Sequence, residues 1–274
     1  MGKGFNVVKV MEPESFKQLE LLQKEVWGGS EIIPYHVLIA FQKMGGVVLA
    51  AYDERDRPVG MLCGYNSTRD GEPFFYMHLC GVVPDMRNQG VATMLKIRLR
   101  ELLLEEGIRV ARWLLDPLQI PEAYLSIHRL GAVGRRYEEN FYGLMRDPYN
   151  RGLESDRLEV EWRMDSHRVE ERLSQNHEDT VENLRREGAK NILKTVNVGS
   201  VKKVLDYRLN IKSGKILLEI PRNMDDIKRL DLSTAIEWRR ITRRIFKKYI
   251  SESYVVTDLL PGGDSYFYLL EKLE

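Results

Sequence analysis

The sequence predicts an α/β chain of the α+β kind: a mixed, mostly antiparallel sheet flanked by helices over residues 1–164, a charged connector at 165–206, and a smaller α/β unit at 207–274. Three observations predict it. Apolar runs of strand length, Val47–Tyr52, 58–65 and 74–83, follow one another across the polar stretches 53–57 and 67–73, as antiparallel strands with short turns do. Segments with helical spacing flank them at 14–27 and 91–106. The 274 residues, 43% hydrophobic and 30% charged, have the composition of a chain that packs a core, at a length near two domains of about 150 residues each.

Each element has a local reason. In 14–27, Phe16, Leu19, Leu22 and Val26 fall on one helical face, and Gly28-Gly29 stop the helix; a second short helix follows Pro34. After the three strands, Leu95, Leu99, Leu102 and Leu103 share a face of 91–106, and Gly107 closes that helix. Val110–Leu115 is then a strand and 120–130 a helix, which completes the order ααβββαβα. Leu158, Val160, Trp162 and Met164 alternate with Glu159, Glu161 and Arg163, the period-two signature of a half-buried strand. Apolar residues thin out over 165–190, an expected exposed helix or insertion. Beyond it, 215–220 reads as a strand, 233–250 as a long helix, and 254–260 with 265–270 as a hairpin around Pro261-Gly262-Gly263-Asp264.

Composition also excludes function classes. The 42 Lys and Arg against 41 Asp and Glu leave a charge of +1, which removes bulk electrostatics as a reason to expect nucleic acid or an anionic membrane as partner. The longest small or apolar run, 45–51, is far below the roughly 18–20 residues of a bilayer span, and the first residues lack a secretory h-region, so a cytoplasmic location is expected. Cys63 and Cys80 lie in apolar runs where reduced thiols are usual. No Cys-x-x-Cys, His-Glu-x-x-His, Gly-x-x-x-x-Gly-Lys or Gly-x-Ser-x-Gly pattern occurs, so no metal is expected and several hydrolase and nucleotide-binding classes drop out.

The segment that carries chemistry is Val82-Val83-Pro84-Asp85-Met86-Arg87-Asn88-Gln89-Gly90-Val91-Ala92, a strand end running through a tight turn into a helix. Backbone N–H groups at a helix start have no intrahelical acceptor, and with the positive end of the macrodipole they make an anion cradle. Gly90 and Ala92 leave room for a pyrophosphate to approach the backbone, and Arg87 adds a permanent charge.

Arg87-x-x-Gly90-x-Ala92 resembles the Gln/Arg-x-x-Gly-x-Gly/Ala signature of the GNAT acyltransferases, and it stands at the fourth-strand, third-helix place of that fold. Asp116-Pro117-Leu118-Gln119, Leu130-Gly131-Ala132, Arg135-Arg136-Tyr137, Asn140 and Tyr142-Gly143 are similar to a microbial GNAT subgroup of predicted acetyltransferases, some of them associated with N-acylamino-acid metabolism. The resemblance implies the GNAT fold and an acyl-CoA-binding domain over 1–164, with acetyl-CoA or another acyl-CoA as donor co-substrate and an amine as acceptor. It places the pantetheine arm along the strand around Cys80, Val82 and Val83, and the pyrophosphate on Arg87, Asn88, Gln89, Gly90, Val91 and Ala92. Where many members carry a Glu general base this chain has His78, whose imidazole is able to take a proton from an amine; a packed strand histidine is the other reading. The position of the usual acidic Tyr holds Ile127, so Tyr124, three residues earlier on roughly the same helical face, is the substitute, with core packing as its alternative. Glu122 and Ser126 stand where the subgroup has Asn.

On the helix 233–250, Arg239, Arg240, Arg243, Arg244, Lys247 and Lys248 gather on one side, opposite Trp238, Ile241, Ile245 and Tyr249. The expected function is an N-acyltransferase moving an acetyl group to the amine of a small molecule such as an amino acid; Arg135 and Arg136 make succinyl a second donor. The alternative is a coenzyme-binding or protein- or RNA-interaction module of GNAT fold with altered catalysis. A homodimer is left open.

Overall fold

The computed structural model describes residues 4–29, 32–174 and 179–272; residues 1–3 of the chain start and 175–178 of the charged connector lie outside them. Packing divides the chain into two compact units, Met1–Trp113 with Arg146–Tyr149, and Leu114–Met145 with Asn150–Glu274.

The first unit contains β1 (Asn6–Lys9), α1 (Pro13–Trp27), α2 (Tyr35–Lys43), β2 (Val47–Tyr52), β3 (Pro58–Arg69), β4 (Glu72–Val82), α3 (Val91–Glu105) and the larger part of β5 (Val110–Leu115). Strands β1 to β4 are antiparallel neighbours in sequence order, and β5 runs parallel to β4. Pro13 preorganises the first turn of α1, and Gly28, at φ 83°, ends it by donating its N–H to the Lys24 carbonyl. Phe16, Leu19, Leu22 and Val26 of α1 and Leu95, Leu99 and Leu103 of α3 are buried, as their spacing predicts, together with Val91, whereas Leu102 is only half-buried. The β3–β4 hairpin is longer than the sequence suggested. Asp70 and Gly71 both have positive φ, 55° and 81°, so a two-residue turn suffices and the polar flanks 66–69 and 72–73 pair as strand.

The second unit contains α4 (Ile120–Ala123), continued by π-helical turns over Tyr124–Arg129, then β6 (Val133–Glu138), β7 (Arg157–Arg163), α5 (His167–Leu173), α6 (Val181–Arg186), β8 (Lys190–Asn191), β9 (Leu193–Val198), β10 (Val201–Tyr207), β11 (Lys215–Pro221), α7 (Met224–Leu230), α8 (Leu232–Ser251), β12 (Tyr254–Gly262) and β13 (Ser265–Lys272). Its strands lie in the order β7-β6-β12-β13-β11-β8, antiparallel except for β11 with β8, while β9 and β10 form a separate hairpin. Trp238, Ile241, Ile245 and Tyr249 of α8 are buried, with Phe246 stacked on Tyr137 at 5.3 Å.

These compact units do not follow the division 1–164, 165–206 and 207–274. The C-terminal hairpin pairs with β6 at Val256 and Gly134, and α8 reaches Asp116 and Asp156, so residues before and after 164 share one core. Strand β7 departs from the half-buried pattern as well: Glu159 and Glu161 are buried, and Glu161 accepts from the Nε of both Arg135 and Arg163 at 3.1 Å. Ion pairing lets a carboxylate occupy a covered face that alternation alone assigns to solvent.

Candidate active site

The cradle lies in the first unit. Strand β4 ends at Val82, and Val83 donates its N–H to the Val59 carbonyl at 3.0 Å. Pro84–Met86 then make one 3-10 turn, Arg87 is extended, and Asn88 (φ 59°) and Gly90 (φ 84°) turn the chain into α3. Gly90 caps α3 with no side chain, and no acidic residue stands in the first helical turn. The start of a 15-residue helix therefore presents its N–H groups without a competing internal anion. A Cβ built on Gly90 would meet nothing within 4 Å, so the space before the turn is open. Gln89 fastens the loop by donating to the Asp85 carbonyl at 3.0 Å, and Arg57 binds Asp85 at 2.7 Å. Beneath the helix start, Gly60 admits Val91: a Cβ there would lie 2.8 Å from the Val91 side chain.

Arg87 is half-buried and held in two ways. Its Nε donates to the Val82 carbonyl at 3.2 Å, and its guanidinium lies over the Tyr149 ring, 5.7 Å from the centroid. Its terminal nitrogens have no partner among the described residues. The candidate residues Arg87 to Ala92 are thus brought together in one turn.

Strand β4 carries the other candidates. Its ladder with β5 consists of Phe75 with Ala111 and Tyr76 with Arg112, and ends there, although β4 continues to Val82. On its other edge the register against β3 shifts: Cys63 faces Leu79 and Gly64 faces Met77, which leaves His78 as the extra residue of a bulge. A bulge re-aims a side chain, and His78 is exposed, with Phe41 edge-on at 6.4 Å and Tyr76 at 6.2 Å. Desolvation by these walls lowers its pKa from the ordinary histidine value, so the imidazole is neutral near pH 7. Cys80 is half-buried farther along β4; Cys63, on β3, is fully buried, and burial pushes its thiol pKa up.

Tyr124 belongs to the second unit, where it stacks on His128 at 4.6 Å and meets Tyr266 edge-on at 5.6 Å. Desolvation raises its pKa, so it holds its proton at neutral pH. The shared face expected for Tyr124 and Ile127 is not found: Ile127 is fully buried, and the wide turns of the π stretch pair Tyr124 with His128 instead. Ser126 donates to Glu122 at 2.9 Å, so these two satisfy one another.

The cationic side of α8 is mostly spent on internal partners. Arg239 is 2% exposed, not solvent-facing, and reaches Asp116 at 2.5 Å. Burial works against the Asp116 charge, yet Arg239 holds its carboxyl below the usual range. Arg243 bonds Asp156, Glu154 and Glu139, Lys247 bonds Glu139, Lys248 bonds Glu252, and Arg244 bonds the Tyr207 hydroxyl. A second network that no local motif announced joins His128 Nδ1 and Arg172 to the two oxygens of Asp258, at 2.9 and 2.7 Å. Among the described residues no cluster of His, Cys, Asp and Glu could hold a metal ion, and no helix is long and apolar enough to cross a membrane.

A helix-start turn thus stands beside a bulged strand whose ladder with β5 stops short. The acetyltransferase (GNAT) family model matches residues 15–119 of the chain. Among solved structures, the chain is similar to the ribosomal-protein-S18-alanine N-acetyltransferase of Escherichia coli, at 12% identity and TM-score 0.46 over 60% of this chain and 96% of that one. It is similar also to a proposed acetyltransferase of Salmonella typhimurium solved with its cofactor acetyl-CoA, at 15% identity and TM-score 0.47 over 60% and 96%. A third likeness, to the glucosamine N-acetyltransferase region of a fungal multi-domain β-N-acetylglucosaminidase, has 16% identity and TM-score 0.37, and covers 41% of this chain but 14% of that one. At these scores the likenesses decide nothing about substrate. No curated protein matches the sequence.

Proposed function

We propose that the protein is a cytoplasmic acyl-CoA-dependent N-acyltransferase that moves an acetyl group to the amine of a small molecule such as an amino acid. The observation that carries the reading is the cradle: a left-handed Gly90 with open space before it, the uncapped start of α3, and the unengaged terminal nitrogens of Arg87. These donors fit a pyrophosphate, with Asn88, Gln89, Val91 and Ala92 lining the turn and Cys80 and Val82 offering strand backbone to the pantetheine arm, while Val83, whose N–H is bound to Val59, closes the strand beside it. Acyl-coenzyme A, when bound, would supply the acyl group as a thioester whose C–S bond breaks as the amine forms the new C–N bond. His78, neutral and exposed at the bulge, takes the proton of the incoming amine, and a β4 N–H such as that of Val82 holds the carbonyl oxygen as negative charge grows on it. Tyr124 keeps its proton at neutral pH, which is what a general acid for the departing thiolate requires.

Acetyl is the first donor in this reading and succinyl the second; of the two arginines that suggest succinyl, Arg135 is engaged by Glu161 at 3.1 Å. The test is free-thiol release from acetyl-CoA and succinyl-CoA against a panel of amines. Turnover of acetyl-CoA with amino acids is expected. A protein that binds coenzyme A and releases no thiol with any amine is a binding module of the same fold.

A further inference from the structure

The first unit is not built only from the residues that precede its last strand. Residues 146–149 return to it after residues 114–145 have joined the other unit. Three contacts fix this returning strap. The Tyr149 hydroxyl donates to the Val26 carbonyl at 3.4 Å, at the end of α1. Pro148 lies against Gly28, where an added Cβ would come within 3.7 Å of the proline ring. Asp147, 3% exposed, accepts from the Tyr149 N–H at 2.9 Å and so sets the backbone that aims the tyrosine. The ring delivered this way sits under the guanidinium of Arg87.

We infer that Tyr149 is a positioning residue for the coenzyme, acting through Arg87; the inference rests on the coenzyme reading given above. An arginine at a turn samples many rotamers, and each must be given up when phosphate binds. Here the Nε bond to Val82 holds the root of the guanidinium and the Tyr149 ring lies 5.7 Å from its carbon, which narrows the rotamers open to Arg87 before the ligand arrives. The ring attracts the cation yet supplies no carboxylate to compete with phosphate for those nitrogens. A lone Asp or Glu at this place would hold Arg87 as firmly and neutralise it.

Calorimetry of coenzyme A binding, paired with steady-state kinetics, tests the assignment. Tyr149→Leu is expected to weaken coenzyme A by about three- to tenfold, the range of a partly desolvated cation–π contact, and to raise KM for acyl-CoA with kcat changed less than twofold. Tyr149→Phe keeps the ring and should restore binding to within about twofold of the parent. In an Arg87→Met background Tyr149→Leu should cost nothing further, because the group it positions is gone. Should Tyr149→Leu not fold, Tyr149→Met takes its place in the same cycle. Equal losses with and without Arg87, or a Tyr149→Phe as impaired as Tyr149→Leu, overturn the assignment and leave the strap a packing element. A parent protein that binds no coenzyme A overturns the coenzyme reading itself, and this inference with it; a parent that binds while the Tyr149 variants bind equally overturns only the inference.

Discussion

The cradle at the start of α3 and the ionic network around α8 both draw on arginines, and they use them in opposite ways. At the cradle, Arg87 is steered by a carbonyl and an aromatic face and meets no carboxylate among the described residues. Around α8, Arg239 and Arg243 are locked to Asp116, Asp156, Glu154 and Glu139, and their charge is consumed within the fold. The difference teaches that a crowd of cations in a sequence says little about ligands until their acids are located. A single arginine without an acid says more.

Four substitutions break or sharpen that contrast. The largest effect is expected at His78, which stands on the ligand side of it: His78→Gln should lower kcat by about 10²- to 10⁴-fold while coenzyme A binding stays nearly intact. The sign of its pH dependence follows from the lowered pKa. The neutral ring is the active form, so the parent's kcat/KM should be flat near pH 7 and fall only as pH drops below the ordinary histidine value, and His78→Gln should lose that acid limb. Near-full turnover of His78→Gln at pH 7 would make the residue a packing element.

Next, on the structural side, Arg239→Leu should destabilise the protein by about 3–5 kcal/mol in denaturant unfolding, since it leaves the buried Asp116 with the Leu118 N–H at 2.8 Å and Arg157 4.0 Å away. An unchanged unfolding midpoint would mean that the network carries no weight. Gly90→Glu should weaken coenzyme A by about 100-fold, through charge repulsion and a side chain placed in the phosphate space. The left-handed backbone adds strain of about 1–2 kcal/mol that the unfolding curve reads separately, and unchanged coenzyme affinity in the folded variant would rule the turn out as the pyrophosphate site. The smallest effect is expected for Lys247→Ala. Its pair with Glu139 has both side chains about half exposed, and its loss should change stability by no more than about 0.5 kcal/mol.

The same contrast explains what the sequence made legible. The strand, turn and helix that form the cradle were readable because their determinants are local: apolar runs, a glycine at a left-handed position and a leucine stripe. The short edge strand β1 was not, since four residues with two apolar side chains make no periodic signal, and β6 was hidden by its exposed Arg135 and Arg136. The helical wheel of α8 put Arg239 on the polar side, but a wheel gives an angle and not a partner; Asp116, 123 residues earlier, decides its burial. His78 could be nominated from its place in the strand, yet the bulge that exposes it depends on how β3 and β4 fall into register. Tyr149 carried no signal at all, because its role exists only where a distant segment comes back to Arg87.

That return has a bearing on how the protein is made. A ribosome delivers β1 to α3 early, and the sheet and turn of the cradle are complete in covalent terms by residue 113. The ring beneath Arg87 emerges only after residues 114–145, which the other unit claims, have been synthesised. The nascent chain therefore holds the Arg87–Ala92 turn before it holds the tyrosine ring that lies beneath Arg87. On the coenzyme reading proposed above, affinity would mature only once the strap at residues 146–149 has come back, rather than with the strands and helix that first outline the site.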